Sequence, residues 1–504
     1  MGQKYVGTID QGTTSSRFIL FNKRGKIVSQ AQMEHAQIYP KPGWVEHNPI
    51  EILKNCKKVI KKAVELAEID PQDICSVGIT NQRETIVAWN KITGEPYYNA
   101  IVWQDMRGKE ILDQLLSLGL EKNIHKKTGL IPAPYFSASK IKWLLDNVTQ
   151  FNIDAKKGEA LVGTIDSWIL WNLSGANKEA PHLTDVTNAS RYMLMDIQTL
   201  SWDEELLKLF SIPISILPTI VASIPKKPYG VGTLKDKGKK IPLIFSGILG
   251  DQQAALFGQT CFYKGQSKCT YGTGGFLLMN IGEKLAYSHN GLLTTVAYQI
   301  EGEAAVYALE GSIAVAGSLV QWVRDNLGMI SSAPEIDKLA ASVSDSGDVY
   351  FVPAFAGLFA PHWKPNARGV ICGLTGYATK AHICRAVLES TAFQVLELFQ
   401  AIADDSGIDL PVLKVDGGMS VSDPLMQIQA DFLSATVVRP AVIETTALGA
   451  AYCAGLSAQL WHNLEELLVH QKEGKRYTPK MDSALRLEKI MGWHKAIERS
   501  LGWV

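Results

Sequence analysis

No stretch of the sequence is long and apolar enough to read as a membrane span. The longest candidate, Ala304 to Val323, is broken by Glu310 and Gln321, and a strand followed by a helix accounts for it better. An excess of one charge is missing too. Lys plus Arg and Asp plus Glu total 50 each, without a basic block, so neither nucleic acid nor stable membrane insertion is expected. The seven cysteines (Cys56, Cys75, Cys261, Cys269, Cys372, Cys384 and Cys453) are odd in number, and no pair has metal-ligand or redox spacing. That pattern predicts buried, reduced thiols in a cytoplasmic protein. The opening residues run into a strand without an apolar signal core, and Val6 stands where a myristoylation motif takes Ser or Thr. Nucleotide signatures are equally scarce. There is no G-x-x-x-x-G-K-S/T phosphate loop, no G-x-G-x-x-G fingerprint and no protein-kinase motif, so any bound ATP is held by another scheme.

What is present is a chain of 504 residues, 46% hydrophobic and 20% charged, too long for one ordinary core. Near the start, Tyr5 to Ile9 reads as a strand, Asp10 to Ser16 as a polar turn and Arg17 to Phe21 as the returning strand. A helix is predicted over Pro49 to Glu68 and a strand over Ser76 to Thr80, which runs into Asn81-Gln82-Arg83-Glu84. Lys268 to Asn280 repeats the hairpin around Gly272-Thr273-Gly274-Gly275, and Leu413 to Asp416 is a strand ending at Gly417-Gly418. Strands alternating with helices predict an α/β fold. Two such hairpins half a chain apart predict two related halves, 1–255 and 256–504, divided after the strand Ile241 to Ile248.

The first turn combines backbone N–H groups with the hydroxyls of Thr13, Thr14 and Ser15, which suits a phosphate. Arg17 adds a fork that matches phosphate oxygens, and Asp10 offers a hard ligand for Mg²⁺. A plain hairpin turn seldom needs all of these together. Asp251 falls where a strand hands over to a helix, a place that fits an N-cap or a general base for an attacking hydroxyl. Arg83 beside Glu84 fits either a polyol reader or a surface ion pair.

The blocks TIDQGTTSSR (Thr8 to Arg17), YPKPGWVEH (Tyr39 to His47), GITNQRET (Gly78 to Thr85) and NAIVWQD (Asn99 to Asp105) resemble the FGGY carbohydrate kinases. So do GDQQAALFGQ (Gly250 to Gln259), TYGTGGF (Thr270 to Phe276) and VDGG (Val415 to Gly418). The match spans Tyr5 to about Leu456 and resembles the members that act on glycerol more than the sugar kinases. It implies two actin-like (ribonuclease H-like) ATPase domains with the active site in the cleft between them. The first would carry the phosphate turn and acceptor contacts, and the second the nucleotide base and sugar contacts.

The implied reaction is ATP plus glycerol giving sn-glycerol 3-phosphate plus ADP, with Asp251 as general base. By the same resemblance Arg83, Glu84, Tyr135, Asp251 and Gln252 would hydrogen-bond glycerol, while Trp103 and Phe276 wall its carbons. Thr13, Thr14, Ser15 and Arg17 would take the β- and γ-phosphates, and Thr273 would lie on the ADP side. Gly317, Gln321, Gly418 and Ser422 would line the adenosine side, and Asp10 with Asp251 would organise Mg²⁺ through its waters. A homodimer or homotetramer is expected.

Two departures stand out. Ser422 replaces the Asn usual in the family, which predicts a weaker adenosine grip. From Ser223 to Gly247, which takes in the loop before the strand that leads to Asp251, there is no histidine where some members carry a regulatory one, so activation by phosphohistidine transfer is not expected. The alternatives are a kinase for another polyol or ketose, and an actin-like ATPase with no small acceptor.

Overall fold

The computed structural model describes residues 4–355, 357–470 and 473–503. Its first sheet grows from a hairpin in which β1 (Tyr5–Gln11) and β2 (Ser15–Asn22) pair antiparallel, with β3 (Ile27–Glu34) on the outer edge of β2. On the other side of β1, β4 (Ile74–Asn81) runs parallel. The far edge is β5 (Gly230–Asp236), antiparallel to β6 (Lys239–Gly250), and β6 lies parallel on β4. Seven buried positions in a row on β1 show that both faces of this sheet are covered, which fits the uncharged run Tyr5 to Ile9 before Asp10 and Gln11 at the tip end.

The second sheet repeats the plan. β7 (Ser267–Tyr271) and β8 (Gly275–Gly282) form its hairpin, and β9 (Leu293–Tyr298) is the outer edge beside β10 (Val306–Ile313), which pairs with β8. β11 (Val412–Asp416) lies parallel on β7 and β12 (Thr436–Pro440) parallel on β11, with β13 (Glu473–Tyr477) antiparallel at the end. The core orders β3-β2-β1-β4-β6 and β10-β8-β7-β11-β12 therefore correspond strand for strand. In each, the parallel strands finish at the same rim as the hairpin tip, the rim where α/β sheets gather ligand-binding residues.

Helices cover both sheets. α1 (Pro49–Ala67) starts where the Asn48 side chain accepts from the backbone of Ile50 and Glu51, with Pro49 at its first turn, and stops at a left-handed Glu68. α2 (Asp251–Gly258) leaves β6, α3 (Gly317–Asp325) follows β10, and α4 (Lys380–Ser406) crosses the second sheet. By length and composition α4 could cross a membrane, yet 89% of its apolar window is buried inside the protein, as in a core helix. α5 (Asp423–Leu433) follows β11, and α6 (Thr445–Ser457) reaches from the second sheet onto β1, β4, β6 and α2 of the first. Small residues make that approach possible. A Cβ on Gly449 would stand 1.9 Å from the Ala254 carbonyl, and one on Gly258 the same distance from that of Thr445.

Some sequence expectations shift. The first turn shrinks to Gly12–Thr14, because Asp10, Gln11, Ser15 and Ser16 all join the ladder. The stretch read as a loop before Gly247 is largely the β5–β6 hairpin, whose tip puts Lys237 and Gly238 at φ 47° and 80°. All seven cysteines are free, as read, but Cys75 and Cys372 are only partly buried.

Candidate functional site

At the first hairpin tip the strand register sets Asp10 opposite Arg17. The Arg17 guanidinium donates to Asp10 at 2.5 Å and to Glu444 at 2.6 Å, the second carboxylate coming from the segment just before α6. Burial pushes the Asp10 carboxyl up and Arg17 pulls it back, leaving it above its ordinary value. Thr14 is exposed at the tip. The Thr13 hydroxyl accepts from the Trp103 indole N–H at 3.0 Å, and the buried Ser15 hydroxyl accepts from Gln32 at 3.1 Å. The predicted phosphate residues therefore share one tip, with Thr14 the most open of them and Arg17 braced between two carboxylates.

Where β4 ends, Glu84 adopts a left-handed backbone at φ 58°, uncommon for a residue other than glycine and found at positions held by their surroundings. Ser137 supports it by donating to the Glu84 carbonyl at 3.2 Å. Arg83 is buried, and its two terminal nitrogens donate to Glu310 of β10 at 2.6 and 2.8 Å. Its Nε lies 3.1 Å from Asp251 Oδ1, and the guanidinium carbon 5.9 Å from the centre of the Phe276 ring. Arg191 Nε donates to Glu84 at 2.6 Å, and Lys268 donates to the Gln252 side-chain oxygen at 2.6 Å. Trp103 and Tyr135 meet edge to face at 5.5 Å. Arg83, Glu84, Asp251 and Phe276 thus converge from both sheets, with Lys268 of the second sheet reaching Gln252 and the Trp103–Tyr135 pair closing on the phosphate tip through Thr13.

Asp251 is the first residue of α2, and Gly250 holds the cap position. One Asp251 oxygen accepts from the Gln252 N–H at 2.7 Å, while 31% of the side chain stays accessible. Burial raises its carboxyl above the ordinary value, against the pull of Arg83 and Lys268. A carboxylate with a raised pKa and an open face can accept a proton from a hydroxyl. Glu310 shows the reverse balance. Burial pushes it up, but Arg191 and Arg83 hold its carboxyl down at about 2.

Among the described residues no cluster of three His, Cys, Asp or Glu side chains is arranged to cage a metal. Asp10 lies opposite Thr80, and Thr80 opposite Leu249. Asp251 therefore starts two strands across and two residues beyond Asp10, a backbone separation of roughly 12 Å. That spacing and two hard oxygen donors fit an ion that keeps its waters.

At the second tip, the Thr273 carbonyl accepts from the N–H groups of Ala316 and Ser318, and Gly317 N–H donates to Gly272 at 3.0 Å. A Cβ on Gly317 would meet the Gly272 oxygen at 2.6 Å, and one on Gly417 (φ 84°) the Tyr271 oxygen at 2.5 Å. Three backbone segments carrying Thr273, Gly317 and Gly418 thus close on one another. Gln321, one turn beyond Gly317 on α3, is exposed. Ser422 caps α5, accepting from Leu425 N–H at 3.2 Å and donating to Asp337 at 2.6 Å. Asp423 beside it is tied to Lys475 at 2.6 Å and also binds the Tyr477 hydroxyl.

Sequence reasoning did not single out Glu310, Arg191, Lys268 or Glu444. Only Glu310 left a usable signal, a lone carboxylate inside an apolar strand.

Residues 5–258 match the N-terminal domain of the FGGY family of carbohydrate kinases, and residues 267–458 match its C-terminal domain. The chain is 53% identical to a glycerol kinase of Brucella anthropi over 502 residues, 99% of each chain. It is 54% identical to a glycerol kinase of Leifsonia xyli over 501 residues, 99% of this chain and 98% of that one. The crystal structure of Plasmodium falciparum glycerol kinase with ADP superposes with a TM-score of 0.91 at 38% identity, covering 100% of this chain and 99% of that one.

Proposed function

The chain belongs to the FGGY family of carbohydrate kinases, and from that membership we infer that it phosphorylates glycerol with ATP, giving glycerol 3-phosphate and ADP. Full-length likeness to glycerol kinases supports this acceptor, and so does the cluster of Arg83, Glu84 and Asp251, with the Arg83 guanidinium 5.9 Å from the centre of the Phe276 ring. A small triol needs charged donors and acceptors for its hydroxyls and apolar cover for its carbons.

In the proposed reaction Asp251 takes the proton of the attacking hydroxyl. The glycerol oxygen then bonds to the γ-phosphorus as the bond to the β,γ-bridging oxygen breaks, and ADP leaves with that electron pair. The observation that carries this assignment is the open carboxylate of Asp251, raised by burial and held at 3.1 Å by Arg83. Arg83, Glu84, Tyr135 and Gln252 orient glycerol, while Trp103 and Phe276 keep water from it. Thr13, Thr14, Ser15 and Arg17 face the phosphates. Thr273, Gly317, Gln321 and Gly418 belong to the nucleotide side, and Ser422 stands next to them with its hydroxyl engaged by Leu425 and Asp337. Asp10 and Asp251 would hold Mg²⁺ through water, and the ion would supply charge neutralisation on the phosphate oxygens. The two domains, 1–255 and 256–504, close over the site. We further propose a cytoplasmic homodimer or homotetramer.

ADP formation measured over glycerol, dihydroxyacetone, pentuloses and other polyols tests the reading. Glycerol should be the preferred acceptor. Better turnover of xylulose or ribulose, or ADP release without any acceptor, would overturn it.

A further inference from the structure

Behind the acceptor residues lies a chain of alternating charges that joins the two sheets. The cations are Arg83, Arg191 and Lys268, and the anions are Glu84, Asp251 and Glu310, so the cluster is formally neutral. Glu310 is its centre. It is 1% exposed, both of its oxygens accept from Arg83, and Arg191 lies 3.3 to 3.4 Å away. So enclosed, it offers no face to a substrate. Arg83 and Glu84 follow a strand of the first sheet, whereas Glu310 is supplied by the second.

We infer that Glu310 is a positioning residue for the acceptor: it holds Arg83 with its Nε toward Asp251 and, through Arg191, fixes the carboxylate of Glu84. The physical reason is pre-organisation. A free arginine side chain samples many rotamers, and a fork-to-fork carboxylate removes that freedom before substrate arrives. Without the Glu310 charge, Glu84 and Asp251 are the carboxylates that still act on Arg83, and the guanidinium, whose Nε already lies 3.1 Å from Asp251, would turn further onto the base itself.

The backbone adds a second consequence. Glu310 pairs across the ladder with Leu278, and Ile313 on the same strand pairs with Gly275 beside the Thr273 tip. The residue that orders Arg83 is therefore fixed to the hairpin on the nucleotide side. Acceptor contacts in the first half are set only while the second half is in place.

This inference rests on the reading of Arg83 and Glu84 as glycerol contacts, and the experiment separates the two. Steady-state kinetics in both substrates are compared for wild type, Glu310→Gln, Arg83→Lys and the double variant, alongside thermal unfolding with and without glycerol. Glu310→Gln should raise KM for glycerol about tenfold or more, the scale of a charge-assisted hydrogen bond, with KM for ATP changed less than about twofold. It should also shrink the glycerol-induced rise in Tm, and the double variant should be no worse than Arg83→Lys alone. If Arg83→Lys raises KM for glycerol while Glu310→Gln does not, positioning by Glu310 is wrong and the glycerol reading stands. Equal rises in both KM values, or additive defects, would make Glu310 merely structural and overturn the inference. If Arg83→Lys itself leaves glycerol binding intact, the underlying reading fails and the inference with it. Should Glu310→Gln fail to fold, Glu310→Asp, which keeps the charge but withdraws it by one methylene, is judged on the same readings.

Discussion

Glu310 is the residue whose environment makes the sharpest solution prediction. Its carboxyl is held at about 2 in the folded protein against an ordinary 4.5, because two arginines outweigh its burial. Between those values the unfolded chain takes up a proton that the folded chain does not. Its stabilising contribution is therefore complete above pH 4.5 and lost as pH falls toward 2, at roughly 1 kcal/mol per pH unit near pH 4. Unfolding free energy followed from pH 5.5 to 4 should fall less steeply in Glu310→Gln than in wild type, and parallel slopes would deny the shift. Ser422 makes a contrasting case. From the sequence it stands on the adenosine side in place of an amide, yet its hydroxyl accepts from Leu425 and donates to Asp337. Ser422→Ala should cost about 1 kcal/mol of stability, as a lost helix cap does, with little change in KM for ATP. A clear rise in that KM would return the hydroxyl to the nucleotide.

At the scale of elements, the junction between α2 and α6 depends on the absence of side chains. The Cβ of Gly449→Ala would fall 1.9 Å from the carbonyl of Ala254, a backbone atom that cannot swing aside. Overpacking of this kind costs about 1–3 kcal/mol. Gly449→Ala should therefore lower Tm, and because α6 packs on α2, the helix that begins at Asp251, it should also reduce kcat. A variant with wild-type Tm and turnover would show the contact to be loose. The same elements show what the sequence could tell. The hairpin around Gly272 to Gly274 and the strand end at Asp416 were legible because strand periodicity and glycine are local signals. The β5–β6 hairpin was half missed, because Lys235, Lys237, Lys239 and Lys240 crowd its tip around Gly238 and resemble a charged loop. Arg191 left no trace at all: its meaning lies in contacts to Glu84 and Glu310, 107 and 119 positions away. The left-handed backbone of Glu84 was equally hidden, since tertiary support and not residue type stabilises it.

Across the whole molecule, the two halves are tied by Arg83 to Glu310, Arg17 to Glu444 and the Thr8 hydroxyl to the Ala447 carbonyl. The first two ties lie on residues assigned to acceptor and phosphate, so closure and substrate binding should be coupled. Small-angle scattering should show a smaller radius of gyration with glycerol plus a non-hydrolysable ATP analogue, and an unchanged radius would argue against coupling. The central claim is that this closed arrangement sets Asp251 against a glycerol hydroxyl as its base. Turnover of Asp251→Asn, measured with glycerol binding in the same preparation, tests it most directly. The amide keeps the shape but cannot take the proton, so glycerol should still bind while kcat falls by about 10²–10⁴. Turnover close to wild type would contradict the assignment.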